Sequence, residues 1–331
     1  MSLAEFARRR IAQPRAIVFP EGDDPIVQDA AVQLAAGGAV RPVLLCPPAS
    51  FAQRLSAAGA DPRGCVVADP TAHPRFVEYV EAYAAQHDLP EAAARLLVGR
   101  PLFLAAMMVA QGEAHGMVAG IAAPTEDVVV ASQLGVGLVE HEALLSTFYL
   151  LEIPSGGGGA AQVLALTDPA MNPVPTAAEL AGIATATAHA VRAMLDWQPR
   201  VALLSFSTKG SADHRVVEIV REAVELLRAA DADFAFDGEL QADAALDPRV
   251  AARKLGASPV AGRANVLVFP TLDAANIAAK LVLHFTDATA YGPFLNGLAA
   301  PVSDLSRGAG VADVVGTALL VAAVPRAGAV P

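Results

Sequence analysis

The chain has 331 residues, of which 54% are hydrophobic and 17% are charged. This length predicts about two domains, and the apolar content excludes an intrinsically disordered chain. Because 34 acidic residues outnumber 23 basic ones and the net charge is -11, a general nucleic-acid groove is excluded. No run reaches the roughly 18 apolar residues of a membrane-spanning helix, and no apolar segment follows the first basic residues, so we predict a cytoplasmic protein.

Short apolar runs alternate with stretches of helical period along most of the sequence. A helix is predicted at 27–38, where two glycines end the pattern. Strands are predicted at 15–20, 41–46, 65–70, 116–121, 201–206, 233–238 and 265–270. Buried strands that alternate with helices are typical of βαβ units. The sequence therefore predicts an α/β fold with mainly parallel sheets.

The segment from Leu144 to Asp168 departs from this alternation. It contains two strand-like runs joined by glycines 156–159, with no helical stretch between them. Glycines supply positive φ angles in a tight turn, so we predict an antiparallel hairpin here rather than a phosphate-binding loop. A change of domain is expected near this hairpin.

Metal, redox and nucleotide motifs are missing from the sequence. Cys46 and Cys65 have no metal-ligand spacing and are too few for a disulfide framework, so we expect buried, unreactive thiols. The seven histidines form no HExxH or comparable cluster, and no GxxxxGK[ST] or GxGxxG string occurs. We therefore predict no metal site and no Walker-type nucleotide site.

The loop STKGS follows the strand at 201–206 and precedes a helical stretch. It offers backbone N–H groups, the hydroxyls of Ser207, Thr208 and Ser211, and the charge of Lys209 near a helix start. Such a loop suits a phosphate, and strand-to-helix loops are where α/β folds bind ligands. A hydroxyl-rich helix cap explains the same residues, so both interpretations stay open at this point.

A second polar loop, SDLSRGAG at 303–310, precedes an apolar helix predicted at 311–324. Arg307 offers a planar fork of donors for a phosphate or a developing oxyanion, Ser306 adds a hydroxyl, and Asp313 falls in the first helical turn. Taken alone, these residues fit better as ordinary features: a first-turn acid favoured by the helix dipole and a surface arginine.

Two weaker candidates lie elsewhere. The two prolines of MNPVPT at 171–176 predict an irregular loop in which Thr176 caps the next helix. Asp237 and Glu239 stand at a strand end, where carboxylates serve catalysis in some proteins but more often pair with basic side chains.

Seven strings taken together carry more information than any one of them. In order they are FPEGDD (19–24), MMVAQGEAHGMVAG (107–120), NPVPTAAELA (172–181), SFSTKGS (205–211), DGELQADAA (237–245), SPVAGRANVLVFP (258–270) and DLSRG (304–308). Over essentially the whole chain they resemble the phosphate acetyltransferase (phosphotransacetylase) family. The resemblance implies two αβα domains with an interdomain cleft, a homodimer, and reversible acyl transfer between coenzyme A and inorganic phosphate. It implies no tightly bound cofactor, since coenzyme A is a substrate.

The resemblance also implies domain boundaries and residue roles. One domain is expected to comprise 1–145 and 302–331, and the other 146–301. Asp313 matches the base that deprotonates the coenzyme A thiol, while Ser306 and Arg307 match the residues that hold the tetrahedral intermediate and the phosphate. The residues expected to bind substrate are Thr125, Asn172, Ser207, Thr208, Lys209 and Ser211.

The chain departs from the family at three positions that commonly carry arginine, namely Ala84, Val130 and His284. Each lost charge-assisted contact is worth about 1.5–3 kcal/mol. Two alternatives follow. The first is that this chain is a non-catalytic acyl-CoA-binding regulatory module, which is the role of the same module where it is fused to malic enzymes. The second is that it is a phosphate acyltransferase for propanoyl or butanoyl groups.

Overall fold

The computed structural model describes residues 1–58, 64–139, 144–155 and 161–325. The chain forms two compact units, the first being Met1–His141 with Leu298–Pro331 and the second Glu142–Gly297. The chain thus passes between the units after residues 141 and 297, whereas the sequence predicted 145 and 301.

The first unit combines parallel strands with helices that precede and follow them. Its elements are α1 (Leu3–Arg10), β1 (Arg15–Phe19), α2 (Pro25–Gly37), β2 (Val40–Leu45), α3 (Pro48–Ala58), β3 (Val66–Ala68), α4 (Phe76–His87), α5 (Glu91–Val98), α6 (Pro101–Ala110), β4 (Gly116–Ala119), α7 (Thr125–Gly135), β11 (Val302–Asp304) and α13 (Val311–Ala323).

The strands of the first unit pair in the order β3-β2-β1-β4-β11, and every pair is parallel. Ile17, Val18 and Phe19 are consecutive in β1 and all fully buried, which requires both faces of the sheet to be covered. Helices α6 and α13 both contact β1 and β4. These contacts confirm the predicted α/β class.

The last part of the chain completes the first unit. Strand β11 pairs with β4, and α13 packs against α1, α2 and β4. Arg15 donates hydrogen bonds from Nη1 to the carbonyl oxygens of Ala322 and Val324, at 2.5 and 2.8 Å. The last turn of α13 is therefore tied to the beginning of β1, as expected for cations at a helix C-terminus.

The second unit also mixes strands and helices. Its elements are β5 (Ser146–Ile153), β6 (Gln162–Thr167), α8 (Ala177–Leu195), β7 (Arg200–Leu204), α9 (Arg215–Ala229), β8 (Ala235–Leu240), α10 (Ala242–Leu246), α11 (Pro248–Lys254), β9 (Val266–Val268), α12 (Leu272–Phe285) and β10 (Thr289–Asn296).

The strands of the second unit pair in the order β10-β5-β6-β9-β7-β8. Strands β5 and β6 form the predicted antiparallel pair, although glycines 156–159 lie outside the described residues. Strand β10 is also antiparallel to β5, whereas β6, β9, β7 and β8 are parallel neighbours. Neither β10 nor β11 was predicted from the sequence.

Two helix starts illustrate how local sequence fixes the elements. Helix α8 begins with the predicted cap, because the Thr176 hydroxyl accepts from the Glu179 N–H and the Glu179 carboxylate accepts from the Thr176 N–H. Helix α9 begins at Arg215 and is capped by the imidazole of His214. The loop STKGS therefore ends before the helix begins and does not form its first turn.

Among the described residues, no single helix is long and apolar enough to cross a membrane. Helices α5 and α6 together have the length and composition of a span, but they are bent by 101° where they meet. No group of three His, Cys, Asp or Glu side chains in the described ranges could hold a metal ion. Cys46 and Cys65 are free and buried, and burial raises the pKa of the Cys65 thiol to about 11.

Candidate active site

The loop between β11 and α13, together with the first turn of α13, carries the three residues predicted to be catalytic. Arg307 is exposed, and its guanidinium makes no hydrogen bond or ion-pair contact with the described residues, although its charge acts on Asp304. The Ser306 hydroxyl is also exposed and accepts a long bond, 3.4 Å, from the Gly308 N–H. Both side chains are therefore available to a ligand.

Asp313 lies in the first turn of α13 and is partly buried. Its Oδ2 accepts a 2.8 Å hydrogen bond from the N–H of Gly310, the residue that precedes the helix. This is the ordinary role of a first-turn acid, which was one of the two interpretations from sequence. No hydrogen bond from the described residues reaches Oδ1, so that oxygen can accept a proton without breaking the cap.

Thr125 is the first residue of α7, and the loop between β4 and α7 places it at the same strand ends. The Thr125 hydroxyl donates a 2.6 Å hydrogen bond to Oδ2 of Asp304, the last residue of β11. The backbone of this loop is held by Glu21, whose carboxylate accepts from the N–H groups of residues 120–123 at 2.6–3.1 Å. Because β1, β4 and β11 are adjacent and parallel, their carboxyl ends present these groups at one edge, where α/β sheets bind ligands.

Asp304 is an unusual carboxyl group in this cluster. It is 2% exposed, and burial raises its pKa to about 6, helped by the charge of Glu21 and opposed by Thr125 and Arg307. Such a shift is typical of a carboxyl that is deprived of water near another acid.

In the second unit the loop STKGS is folded around its own hydrogen bonds. The Ser207 hydroxyl donates to Glu239 Oε1 at 2.8 Å, and the Ser211 hydroxyl accepts from the Thr208 N–H at 3.0 Å. The Thr208 hydroxyl donates to Gln241 Oε1 at 3.2 Å. These residues build the loop, so a substrate that uses their hydroxyls must compete with internal partners.

Glu239 is the centre of this loop. Besides Ser207, it accepts from the Gly210 N–H at 2.8 Å and from the Arg221 guanidinium at 3.2 Å. Burial would raise the pKa of Glu239, but the bonds from Arg221, Gly210 and Ser207 outweigh it and lower the pKa to about 2. Glu239 is therefore ionised at neutral pH, and the donors of the loop converge on its carboxylate.

Lys209 is directed to the strand β8 beneath the loop. Its Nζ contacts the Asp237 carboxylate and donates to the Gly238 carbonyl at 2.7 Å. Asp237 is buried and also accepts from the Ser258 hydroxyl at 2.6 Å. The Lys209 side chain remains 39% exposed, so it can reach an anion while Asp237 offsets part of its charge.

Asn172 is used structurally in the loop after β6. Its Nδ2 donates to the Leu145 carbonyl at 2.9 Å and to the Asp168 carboxylate. Asp168 also accepts from the N–H groups of Ala170 and Met171, both at 3.2 Å. The loop MNPVPT is therefore irregular, as predicted, and Asp168 sets its shape.

The three departures from the family pattern fall in three helices. Ala84 is half-buried in α4, Val130 is 41% exposed in α7, and His284 is exposed in α12.

Sequence reasoning missed three acidic side chains that support these loops, namely Glu21, Asp168 and Asp304. Glu21 follows β1, Asp168 follows β6, and Asp304 is the last residue of β11. The available signal was an acidic residue at the carboxyl end of a strand, which the sequence analysis applied only to Asp237 and Glu239.

Comparison with known proteins decides the family. A family model described as Phosphate acetyl/butaryl transferase matches residues 2–322. The chain belongs to this family. Two relatives named phosphate acetyltransferase are each 39% identical to it. One, from Thermoanaerobacterium thermosaccharolyticum, aligns over 90% of this chain and 92% of its own, and the other, from Paracoccus denitrificans, over 94% and 95%.

A solved structure of a member of the same family also matches. The phosphotransacetylase from Streptococcus pyogenes is 35% identical, covers 98% of both chains and superposes with a TM-score of 0.88. The predicted membership of the phosphate acetyltransferase family is thereby confirmed.

Proposed function

We propose that this family member is a phosphate acetyltransferase, which moves an acetyl group reversibly between coenzyme A and inorganic phosphate. The observation that carries the proposal is the family match over residues 2–322, which includes the exposed Arg307 in the loop before α13 and Asp313 in the first turn of that helix. Relatives that carry the enzyme name align over nearly their whole length.

The reaction needs a base, a cation and a hydroxyl donor, and these three residues supply them. A thiol with a pKa near 8.5 is mostly protonated at neutral pH, so Asp313 Oδ1 removes the proton of coenzyme A. The thiolate then attacks the acetyl carbonyl of acetyl phosphate. Arg307 and the Ser306 hydroxyl stabilise the negative oxygen of the tetrahedral intermediate, and Arg307 also binds the phosphate group.

Collapse of this intermediate completes the transfer. The carbon–sulfur bond is kept, the carbon–oxygen bond to phosphate breaks, and phosphate leaves with the electron pair of that bond. The proton held by Asp313 passes to the departing phosphate, and the reverse reaction follows the same steps backwards. Oxidation states do not change, and no resident cofactor is required.

The remaining predicted residues are assigned to substrate binding. Lys209 and Ser211 are exposed in the loop STKGS, and their side chains offer a cation and a hydroxyl. Ser207, Thr208 and Asn172 act by shaping their loops, because their side chains are engaged internally. Thr125 is linked to the residue before the β11–α13 loop, because its hydroxyl donates to the Asp304 carboxylate.

We also propose a homodimer. The support, besides the resemblance, is an apolar stripe on α12 formed by Ile277, Leu281 and Phe285, which are 58%, 50% and 77% exposed. Residues four apart lie on one face of a helix, and a second copy that covers this stripe would remove it from water.

A cytoplasmic location is proposed as well. The supporting observation is that Cys46 and Cys65 are free thiols rather than a disulfide, which is typical of a reducing compartment.

The deciding experiment follows thioester formation by purified protein from coenzyme A and acetyl phosphate, beside propanoyl and butanoyl phosphate. Fastest turnover with acetyl phosphate supports the proposal, and fastest turnover with a longer acyl phosphate replaces it with the corresponding acyltransferase. No turnover with any acyl phosphate, together with retained binding of acetyl-CoA, would identify the regulatory module instead.

A further inference from the structure

The carboxyl group of Asp304 joins two loops of the candidate site. Its Oδ2 accepts the 2.6 Å hydrogen bond from Thr125, whereas its Oδ1 is buried with no hydrogen-bond partner among the described residues. Asp304 is also two residues before Ser306 along the chain. A change at this carboxyl group is therefore transmitted directly to the β11 loop and to the start of α7.

The carboxyl group has little room to move. Gly120, at the end of β4, has a φ of +99°, and a Cβ atom at this position would lie 2.1 Å from Asp304 Oδ1. The segment 120–123 is in turn fixed by its four bonds to Glu21. Asp304 is thus enclosed by packed backbone, and it responds to charge by gaining or losing a proton rather than by turning away.

Two charged side chains have opposite effects on the ionisation of Asp304. Glu21 opposes its ionisation and Arg307 favours it, while burial raises the pKa of the group to about 6. Other acids on the adjoining elements are Glu126 and Asp127, which are exposed in the first turn of α7, and Asp313, which caps α13. In the protein without ligand, Arg307 is therefore the cation that helps to keep Asp304 ionised.

We propose that Asp304 is a positioning residue that takes up a proton from solvent when an anionic phosphate group binds Arg307. This inference rests on the proposed phosphate-binding role of Arg307. A bound anion neutralises the guanidinium and adds negative charge nearby, and both effects favour the uncharged carboxyl. The single proton taken up converts the carboxylate to a carboxylic acid, and no other bond changes.

Reciprocity between the two sites sets the expected pH dependence. If anion binding favours protonation of Asp304, protonation must favour anion binding by the same factor. Phosphate should therefore bind more tightly as pH falls from 8 towards 5.5, by about tenfold for each pKa unit that the bound anion adds to Asp304. An uncharged, isosteric side chain at position 304 should hold the loop in its tight-binding state at every pH.

The test measures binding of inorganic phosphate by titration calorimetry at pH 7, in two buffers of different ionisation enthalpy. Wild type and Asp304→Asn are compared, so that protonation of the phosphate itself contributes equally to both. We expect wild type to take up more protons than the variant, by on the order of half a proton. The variant should also bind phosphate at least as tightly as wild type at pH 8, with a weaker pH dependence.

A merely structural role for Asp304 predicts weaker phosphate binding at every pH in the variant, and that result would overturn the inference. Equal proton uptake by the two proteins would overturn it as well. Failure of phosphate to bind wild type, or undiminished binding by Arg307→Gln, would instead remove the proposed role of Arg307.

A second variant covers the case in which Asp304→Asn does not fold. Thr125→Val removes the hydrogen bond that favours the ionised carboxyl, so the rise in phosphate affinity should begin at a higher pH than in wild type. An unmoved pH profile in this variant would contradict the inference.

Discussion

The Ser207 hydroxyl donates a 2.8 Å hydrogen bond to Glu239 Oε1, across 32 residues of sequence. The same oxygen accepts from the Gly210 N–H, and the Arg221 guanidinium donates to the other carboxylate oxygen, Oε2. The loop STKGS is therefore shaped by an internal anion that resembles, in its charge and its acceptor oxygens, the phosphate for which such loops are known.

Glu239→Gln should destabilise the second unit in a pH-dependent way. The pKa of Glu239 is lowered from 4.5 to about 2, so its contribution is complete above pH 4.5 and is lost as pH falls towards 2. We expect a loss of about 1–3 kcal/mol of unfolding free energy at pH 7, which shrinks towards pH 2, measured by urea unfolding.

The matched control is Glu225→Gln, which removes an exposed partner of Arg228 on α9. It should change stability by less than about 0.5 kcal/mol. If the two variants were equally stable at pH 7, Glu239 would not be the support of this loop.

Asp304→Asn should show the opposite pH dependence. The raised pKa of Asp304 means that the folded protein binds more protons than the unfolded chain between about pH 4 and 6, so stability falls as pH rises through this window. The variant has no ionisable group at position 304, so its stability does not fall in this way. The unfolding free energy of the variant minus that of wild type should therefore rise by up to about 3 kcal/mol between pH 4 and 8.

Asp127→Asn serves as the control, because Asp127 is an exposed first-turn acid of α7. Its removal should cost about 0.3–1 kcal/mol, with no improvement at higher pH. A constant difference between Asp304→Asn and wild type across pH 4–8 would show that Asp304 has an ordinary pKa.

Asp313→Asn should separate the base from the helix cap. The amide can still accept from the Gly310 N–H, so thermal stability and acetyl-CoA affinity should change little. Turnover in the thioester assay should fall by roughly 10²–10⁴-fold, the usual contribution of a positioned general base.

Two further variants complete this comparison. Asp273→Asn changes a first-turn acid of α12 and should keep wild-type turnover, whereas Arg307→Gln should weaken phosphate binding as well as slow turnover. Wild-type turnover by Asp313→Asn would end the assignment of the base.

Substitution on α12 should test the proposed dimer. Leu281→Ser combined with Phe285→Ser places polar groups in the exposed stripe, so a dimer that buries this face should dissociate to monomers at micromolar concentration. Light scattering gives the mass, and Leu226→Ser, at a 38% exposed position on α9, should leave it unchanged. A monomeric wild type would contradict the homodimer itself. A substituted protein that keeps the dimer mass would show that the interface does not include the α12 stripe.

The predicted strands and caps succeeded where the signal is local. Thr176 and the glycine pair at 37–38 specify a helix start and a helix end through residues within one turn of them. Strand β10 was not predicted because Gly292 and Pro293 interrupt its apolar run. In the structure its register shifts at these residues, between Tyr291 and Phe294. Strand β11 is only three residues long.

The site could be predicted only in part for a related reason. The residues Ser306, Arg307 and Asp313 are close in sequence, so their shared loop was visible. Their supports are distant: Thr125 and Asp304 are 179 residues apart, and Glu21 binds N–H groups about 100 residues away. No periodicity in a single sequence marks such pairs, because only the folded sheet brings the strand ends together.

The return of the chain to its first unit has a consequence for biosynthesis. The second unit is a continuous stretch, Glu142–Gly297, whereas the first needs residues from both sides of it. Before β11 and α13 have been synthesised, β4 lacks its neighbour β11 and α1 lacks α13. The second unit can therefore fold first, although domains nearer the N-terminus normally precede. Until β11 has been made, the edge of β4 that it covers is unpaired, and such an edge is a template for pairing with another chain.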